Sequence, residues 1–146
     1  MATKIFVNGT FDIIHSGHLF LLEYAKSRGD YLKVGLDSDE RVSELKGPTR
    51  PVNNICTRYH IMASLKWVDE VGIFDSDESL TEMVRLYKPD IMIVGAEYEG
   101  RKIIGSEYAK ELKFFNRVDN YSTTNTIKNI RDERGPAPAV FFESPY

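Results

Sequence analysis

His15 and His18 stand three residues apart, just after a turn that contains Gly9. The apolar run 4–8 before this turn predicts a buried strand, and the segment 19–26 after it predicts a helix. At helical spacing, both imidazoles would lie on one side of the first helical turn. A helix N-terminus attracts anions through its free N–H groups and partial positive charge, and a glycine lets the backbone come close to a ligand. The stretch therefore predicts a phosphate-binding turn.

Two other interpretations of the histidine pair stay open. In one, the helix is simply capped and the histidines have no chemical role. In the other, they bind a metal ion. Catalytic zinc usually has three protein ligands, whereas the chain has only three histidines and one cysteine, and His60 falls in a different predicted helix. The zinc interpretation is therefore the weaker one.

The rest of the chain alternates between strand-like and helix-like segments. The strand-like runs are apolar without strict alternation, which is typical of a parallel sheet covered on both faces. Right-handed crossovers between such strands give a doubly wound arrangement. We therefore expect an α/β fold built on a doubly wound five-stranded parallel sheet. The predicted strands cover 4–8, 31–36, 71–74, 91–94 and 114–118.

Polar residues at helix starts, and a glycine or a proline near helix ends, give the predicted helix boundaries. Gly29 is expected to end the first helix in a left-handed conformation. Pro89 is expected to end the fourth. The later helices begin at Ser38 or Asp39, Asn53 or Asn54, 76–79, Ser106 and 122–124, and end near 45, 67, 87, 112 and 132.

The chain of 146 residues has the composition of a soluble globular protein, with 42% apolar and 28% charged residues. We expect one domain over 1–132 and an extended tail over 133–146. The apolar runs are too short to span a bilayer and there is no signal-peptide core, so no membrane contact is expected. The single cysteine, Cys56, rules out an internal disulfide and suits a cytoplasmic location. The net charge of −3 argues against a nucleic-acid partner.

The run Gly-Thr-Phe-Asp-Ile-Ile-His-Ser-Gly-His over 9–18 resembles the signature of the cytidylyltransferase-like nucleotidyltransferases, which ends in His-x-Gly-His. The resemblance continues over about 4–131, with several separate motifs in order. It implies a Rossmann-like nucleotidyltransferase fold of the HIGH type. It also implies transfer of a nucleoside monophosphate from a triphosphate to a small phosphorylated sugar or alcohol, with release of pyrophosphate. Such a transfer needs alignment and positive charge rather than a covalent nucleophile.

The resemblance implies functional roles for residues in several parts of the chain. His15 and His18 would contact the triphosphate and stabilise the transition state, and Lys46 and Ser122 would share in catalysis. Arg58 would reach the acceptor phosphate together with Lys46. The nucleotide would be bound by Gly9, Thr10, Phe11, His15, His18, Gly95, Glu97, Tyr98, Arg117, Ser122, Thr123 and Thr124.

Several of these residues have a plainer alternative. Lys46 would otherwise be a solvated loop lysine, Arg58 an exposed helix arginine, and Tyr98 a packing residue. The hydroxyl residues at 122–124 favour an ordinary N-cap, which is compatible with phosphate binding. Glu97 stands where relatives often carry aspartate, so the identity of the base stays open.

The motifs resemble two branches of the family. The segments 45–47, 50–53, 68–71, 88–90 and 105–107 are similar to the adenylyltransferase domain of ADP-heptose synthase. Arg117 with the Ser-Thr-Thr at 122–124, and the segment 98–100, are similar to glycerol-3-phosphate cytidylyltransferase. The heptose branch matches more of the chain and is favoured. ATP against CTP stays open, and a nucleotide-binding module without catalysis is a further alternative.

The resemblance also implies a cofactor and a partner. Mg²⁺ would arrive with the nucleoside triphosphate, and because a magnesium ion that bridges phosphates needs few protein ligands, no metal-binding residues are predicted. Family members are often homodimers, which implies a homodimer here. Asp12 is expected to anchor the turn by accepting hydrogen bonds from backbone N–H groups rather than to touch a ligand.

Overall fold

The computed structural model describes residues 2–116 together with Ile127, Lys128 and Ile130. Within this part of the chain, five strands form a single sheet in which every pairing is parallel. The predicted α/β fold with a five-stranded parallel sheet is therefore confirmed. The strands are β1 (Lys4–Gly9), β2 (Tyr31–Asp37), β3 (Glu70–Phe74), β4 (Ile91–Gly95) and β5 (Glu111–Phe115).

The strand order is β3-β2-β1-β4-β5. The chain first builds the sheet outward from β1 to β3, and then returns to the other side of β1 to add β4 and β5. This reversal makes the junction between β1 and β4 the topological switch point. In open α/β sheets, ligands bind at the carboxyl ends of the strands at such a point.

Four α-helices connect the strands, and their starts follow the predicted caps. The Ser38 hydroxyl accepts a hydrogen bond from the backbone N–H of Arg41, and the Asn54 side chain accepts one from that of Thr57. Ser76 caps the fourth helix in the same way. The helices are α1 (Ser16–Ser27), α2 (Asp39–Lys46), α3 (Ile55–Ser64) and α4 (Asp77–Tyr87), with short 3₁₀ turns at Ala96–Tyr98 and Ser106–Tyr108.

The core lies on both faces of the sheet. On β1, Ile5, Phe6 and Val7 are at most 1% exposed, and successive side chains point to opposite faces. Ile5 and Val7 pack in a cluster that includes Leu22 of α1 and Met62 of α3. Phe6 packs in a second cluster with α4 residues such as Leu80 and Val84. Burial on both faces explains why the strand sequences lack strict alternation.

Two predicted helix boundaries are wrong, and long-range strand pairing explains both. The third helix ends at Ser64 rather than near 67, because the backbone N–H of Asp69 bonds the carbonyl oxygen of Leu32 as the chain enters β3. The helix predicted over 106–112 is a single 3₁₀ turn, because Glu111 already begins β5 beside β4. As a result, β5 starts three residues before the predicted 114.

Gly29 is not left-handed, contrary to the prediction. The first helix ends at Arg28 in a right-handed conformation with φ −86°. A Cβ atom at Gly29 would lie 2.7 Å from the carbonyl oxygen of Thr3 and 2.8 Å from the Ile5 side chain. The absence of a side chain at Gly29 therefore allows the chain after α1 to pack closely against β1 and against Thr3, which precedes it. At the end of α4, in contrast, Lys88 is left-handed with φ 54°, directly before Pro89.

Two expectations fall outside the described residues: the domain boundary at 132 with the tail over 133–146, and most of the helix predicted over 122–132. Within that helix, Ile127, Lys128 and Ile130 are helical. None of the described helices is both long and apolar enough to cross a bilayer.

Candidate active site

A cavity of about 310 Å³ opens at the carboxyl ends of β1, β2 and β4. Residues 8–10 from the end of β1, Asp37 from β2 and Gly95 from β4 form its floor. Helix α2 contributes Arg41 and Lys46, and the loop after β4 contributes Tyr98 and Lys102. Three cationic side chains and one carboxylate therefore face this space at the switch point. The volume is at the lower end of the range for small-molecule sites.

The histidine turn at the start of α1 lies next to this cavity and is held by reciprocal hydrogen bonds. His15 is the N-cap, in extended conformation, and its Nδ1 accepts a hydrogen bond of 3.1 Å from the backbone N–H of Gly17. The Nδ1 atom of His18 accepts a hydrogen bond of 3.2 Å from the backbone N–H of His15. The two ring centroids are 3.9 Å apart. The prediction that both imidazoles lie on the same side of the turn is confirmed.

These hydrogen bonds determine what the two rings offer to a ligand. Because each Nδ1 accepts a hydrogen bond, a neutral imidazole at His15 or His18 carries its proton on Nε2. Both rings therefore present an N–H donor on the side away from their own backbone. Donors fixed in this way suit the oxygens of a phosphate, and the helix N-terminus adds partial positive charge to the same region.

Gly9 and Phe11 shape the backbone of the turn. Phe11 has a positive φ of 48°, which is uncommon for a residue with a side chain. Its ring is buried, lies 5.3 Å from that of His18, and packs against Gly9, where a Cβ atom would lie 3.0 Å from Phe11 Cε2. Gly9 thus makes room for the ring that supports His18, and it also lines the cavity.

Asp12 fastens the histidine turn to the loop between α2 and α3. Its carboxylate is 1% exposed and accepts hydrogen bonds from the backbone N–H groups of Val52 and Asn53, at 2.8 and 2.7 Å. The Asn53 side chain returns a hydrogen bond to the carbonyl oxygen of Asp12. Arg50 lies beside this carboxylate, with Nε 3.5 Å from Oδ2. Asp12 therefore anchors the turn through backbone N–H groups, as expected, and these belong to a neighbouring loop.

Arg58 lies in a different environment from the one that the resemblance implied. It is fully buried, and its Nη1 donates hydrogen bonds to the carbonyl oxygens of Thr10 and Asp37, at 3.0 and 2.8 Å. Its Nε bonds the carbonyl oxygen of Asn53, and its Nη2 bonds the carboxylate of Asp39 at 2.7 Å. The guanidinium therefore joins β1, β2 and the start of α3 to one another. The structure places it beneath the site and outside the cavity lining.

Arg41 and Asp37 are site residues that sequence reasoning missed. Arg41 Nε lies 2.9 Å from Asp37 Oδ1, and Arg41 Nη2 lies 2.7 Å from the carboxylate of Asp77. Burial raises the pKa of the Asp37 carboxyl, and this effect outweighs the opposing effect of Arg41 and of Lys46. An acidic residue at the carboxyl end of a buried strand was the available signal. The pairing itself spans a strand and a helix and has no local pattern.

The structure brings together only some of the predicted site residues. Gly9, Thr10, Lys46, Gly95 and Tyr98 line the cavity, whereas Phe11, His15, His18 and Arg58 are not among its lining residues. Glu97 lies on the 3₁₀ turn after β4, where its carboxylate lies against Gly95. The remaining predicted residues, Arg117, Ser122, Thr123 and Thr124, lie outside the described part of the chain.

Known proteins provide an independent comparison. The family described as cytidylyltransferase-like matches residues 6–129. The bifunctional protein HldE of Campylobacter fetus is 49% identical over 129 residues, which is 88% of this chain and 28% of that protein. HldE of Aliarcobacter butzleri is 48% identical over 128 residues, which is 88% of this chain and 27% of that protein. The chain thus spans little more than a quarter of the length of these relatives.

A solved structure shares the fold. The crystal structure of the lipopolysaccharide core biosynthesis protein from Thermoplasma volcanium superimposes with a TM-score of 0.67 at 24% identity. The match covers 82% of this chain and 100% of that one. At this level of identity, the similarity to the solved structure supports a shared fold only. Family membership is supported by the family model and by the relatives. On these grounds the chain belongs to the cytidylyltransferase-like family.

Proposed function

We propose that this protein is a nucleotidyltransferase that transfers adenylate from ATP to a sugar 1-phosphate of the heptose type and releases pyrophosphate. The observation that carries the proposal is the similarity of 88% of the chain to the bifunctional protein HldE. The resemblance of this chain's motifs to the adenylyltransferase domain of ADP-heptose synthase suggests which reaction this similarity reflects. A cation-lined cavity at the switch point supports it, because Gly9 and Thr10, which lead into the histidine turn, line that cavity.

The site suits an in-line displacement at phosphorus. An oxygen of the acceptor phosphate forms a bond to the α-phosphorus of the triphosphate, and the bond from this phosphorus to the bridging oxygen breaks. Pyrophosphate leaves with that electron pair. Since the attacking phosphate is already ionised near neutral pH, the protein has to supply alignment and positive charge rather than a nucleophile.

The described residues divide this work between the turn and the cavity. His15 and His18 would donate from Nε2 to the oxygens of the reacting phosphates, and the N-terminus of α1 would add its partial charge. Lys46 at the end of α2 would neutralise the incoming acceptor phosphate. Arg58 and Asp12 would act from below, because each binds the backbone of the turn to a neighbouring element.

Mg²⁺ is the expected companion of the triphosphate and would supply positive charge to its phosphates. Among residues 2–116, no three His, Cys, Asp or Glu side chains converge in a way that could hold a metal ion. Asp12, the carboxylate of the turn, uses both oxygens for backbone N–H groups. An ion carried mainly by phosphates and water, as magnesium commonly is in such sites, would need no such cluster.

The test is pyrophosphate release in a matrix of substrates. ATP and CTP are each combined with heptose 1-phosphate and with glycerol 3-phosphate in the presence of Mg²⁺. We expect release only with ATP and heptose 1-phosphate. Release with CTP and glycerol 3-phosphate would instead support the second candidate, to which the motifs at 98–100 and 122–124 have a resemblance. Nucleotide binding without release from any pair would favour a binding module.

We also propose a homodimer in the cytoplasm, in keeping with the family resemblance and the single cysteine of the chain. Sedimentation equilibrium measures the oligomeric state directly. A mass of one chain across the accessible concentration range would contradict the dimer.

A further inference from the structure

The cavity at the switch point contains a carboxylate among its cations. The Asp37 side chain is 12% exposed, and its Oδ1 is paired with Arg41 Nε. Its Oδ2 receives no hydrogen bond from any described residue. The buried polar side-chain atoms without a partner belong to Arg50 alone in the described chain, so Oδ2 of Asp37 retains contact with solvent. Asp37 is also one of the residues that line the cavity.

The position of this carboxylate is fixed by its partner. Arg41 is held at two points, since Nε pairs with Asp37 and Nη2 pairs with Asp77. The guanidinium also lies over the ring of Phe74, with its central carbon 5.5 Å from the ring centre. With the arginine fixed at both ends, Asp37 keeps one oxygen on Arg41 and leaves the other for a ligand.

The second oxygen of this carboxylate repels phosphate and accepts hydrogen bonds from donors such as the hydroxyl groups of a sugar. Lys46 and Lys102 line the same cavity and attract phosphate. A ligand that satisfies all of these groups carries a phosphate at one end and hydroxyls at the other, and the volume of about 310 Å³ suits a single sugar phosphate.

We propose that Asp37, positioned by Arg41, accepts a hydrogen bond from a hydroxyl of the sugar-phosphate acceptor and so determines acceptor specificity. This proposal rests on the proposed function, because it assigns the part of the cavity at Asp37 to the acceptor of that reaction. The acceptor phosphate then lies toward Thr10 and Lys46, on the side of the histidine turn. Its sugar ring lies over the carboxyl end of β2, between Asp37 and the loop that carries Tyr98.

The test combines a protein variant with a substrate variant. Asp37→Asn keeps the shape of the side chain but removes its charge, and a set of monodeoxy sugar 1-phosphates removes one acceptor hydroxyl at a time. For the full sugar phosphate, we expect Asp37→Asn to raise the KM by about 10- to 100-fold, the usual range for a hydrogen bond to a charged group. The KM for ATP should stay unchanged. With the deoxy acceptor that lacks the contacted hydroxyl, the variant and the wild type should have similar KM values.

The matched control is Glu78→Gln. This substitution also replaces a carboxylate by an amide, but Glu78 is exposed on α4 and lies outside the cavity lining. Its KM for the full sugar phosphate should remain close to that of the wild type. An increase in KM for Asp37→Asn that is equal for every deoxy acceptor would overturn the proposal, because the pair with Arg41 would then be only structural. A parallel increase in the KM for ATP would also overturn it.

Binding measurements separate this proposal from the proposed function. Isothermal titration of the wild type and of Asp37→Asn with a sugar 1-phosphate alone requires no turnover. If no pair of substrates releases pyrophosphate but the sugar phosphate binds the wild type at least 10-fold more tightly than the variant, the proposed reaction fails and the role of Asp37 stands. If the sugar phosphate binds both proteins equally, or neither, the role of Asp37 is wrong.

Discussion

Replacing Arg58 by methionine tests whether this arginine holds the site together or binds substrate. The guanidinium donates hydrogen bonds to three carbonyl oxygens and to the Asp39 carboxylate, and the side chain is fully buried. Methionine is unbranched and flexible, so it fills much of the same volume. The substitution therefore removes the hydrogen bonds while leaving little empty space.

The expected loss follows from what remains behind. Breaking a buried charged pair typically costs about 3–5 kcal/mol, because the remaining partner loses its compensation. The Asp39 side chain is 33% exposed and can regain water, which places the loss toward the lower end of that range. The hydrogen bond to the carbonyl oxygen of Asp37 is buried, and those to the carbonyl oxygens of Thr10 and Asn53 are partly buried, so acceptors that stay unsatisfied add to the cost. We expect a loss of about 3–4 kcal/mol in the free energy of unfolding.

Urea unfolding, followed by far-ultraviolet circular dichroism, measures this loss. With a slope of about 2 kcal/mol per molar urea, the midpoint should fall by about 1.5–2 M. Arg58→Lys keeps the charge but has fewer hydrogen-bond donors in a less suitable geometry. Its unfolding midpoint should therefore lie between those of the wild type and of Arg58→Met. Arg85→Met is the control, because Arg85 lies on the exposed face of α4 and, among the described residues, pairs with Glu82 alone. Its midpoint should not differ measurably from that of the wild type.

One result would refute the reasoning about Arg58. If Arg58→Met unfolds at the same urea concentration as the wild type but has a strongly raised KM for the acceptor, then the arginine binds the acceptor phosphate. That was the role implied by the family resemblance. The structure instead predicts that Arg58→Met lowers the stability of the protein and that any loss of activity follows from this lower stability.

Three further variants test other parts of the site and fold. His18→Ala should lower turnover by about 100-fold or more, as the loss of one transition-state donor does elsewhere. The control variant His60→Ala, at an exposed position, should leave turnover unchanged. Near-normal turnover of a folded His18→Ala protein would contradict the role of His18 as a transition-state donor. Asp12→Asn should destabilise the protein by about 1–3 kcal/mol in urea unfolding, because its amide group would face a backbone N–H as a second donor, and an unchanged midpoint would show that the carboxylate is dispensable. The hydrogen bond from Lys33 lowers the pKa of the Glu70 carboxyl in the folded protein below the ordinary value of 4.5. The stability that Glu70 contributes is therefore fully present above pH 4.5 and lost as the pH falls through the lowered pKa. The difference in unfolding free energy between wild type and Glu70→Gln should accordingly shrink on acidification. A difference that does not change with pH would show that ionisation of Glu70 does not contribute this stability.

Much of the fold could be predicted because its signals are local. The caps at Ser38, Asn54 and Ser76 satisfy N–H groups within their own helices, so the residue type alone indicates the start of each helix. Apolar runs without alternation similarly indicate strands that are covered on both faces. Errors occurred where a distant strand decides the outcome, as at Glu111, which pairs with Ile91 of β4.

The candidate site likewise contains one feature that local sequence predicted and one that it could not predict. The histidine turn was predictable, because His15 and His18 are neighbours on one helical turn and their reciprocal hydrogen bonds stay within it. The inward direction of Arg58 was not, because its four acceptors come from separate segments of the chain. An arginine on a short helix gives no local indication of whether it faces solvent or the core.

The amino-acid sequence alone was sufficient for the family, the parallel α/β class and the location of the histidine turn. All three depend on residue types at short spacing, where chain geometry leaves little freedom. The strand order, the cavity at the β1–β4 switch point and the pairing of Asp37 with Arg41 emerged only in three dimensions. They depend on which distant segments pack together, and that choice is made by the burial of the whole sheet rather than by any one stretch of sequence.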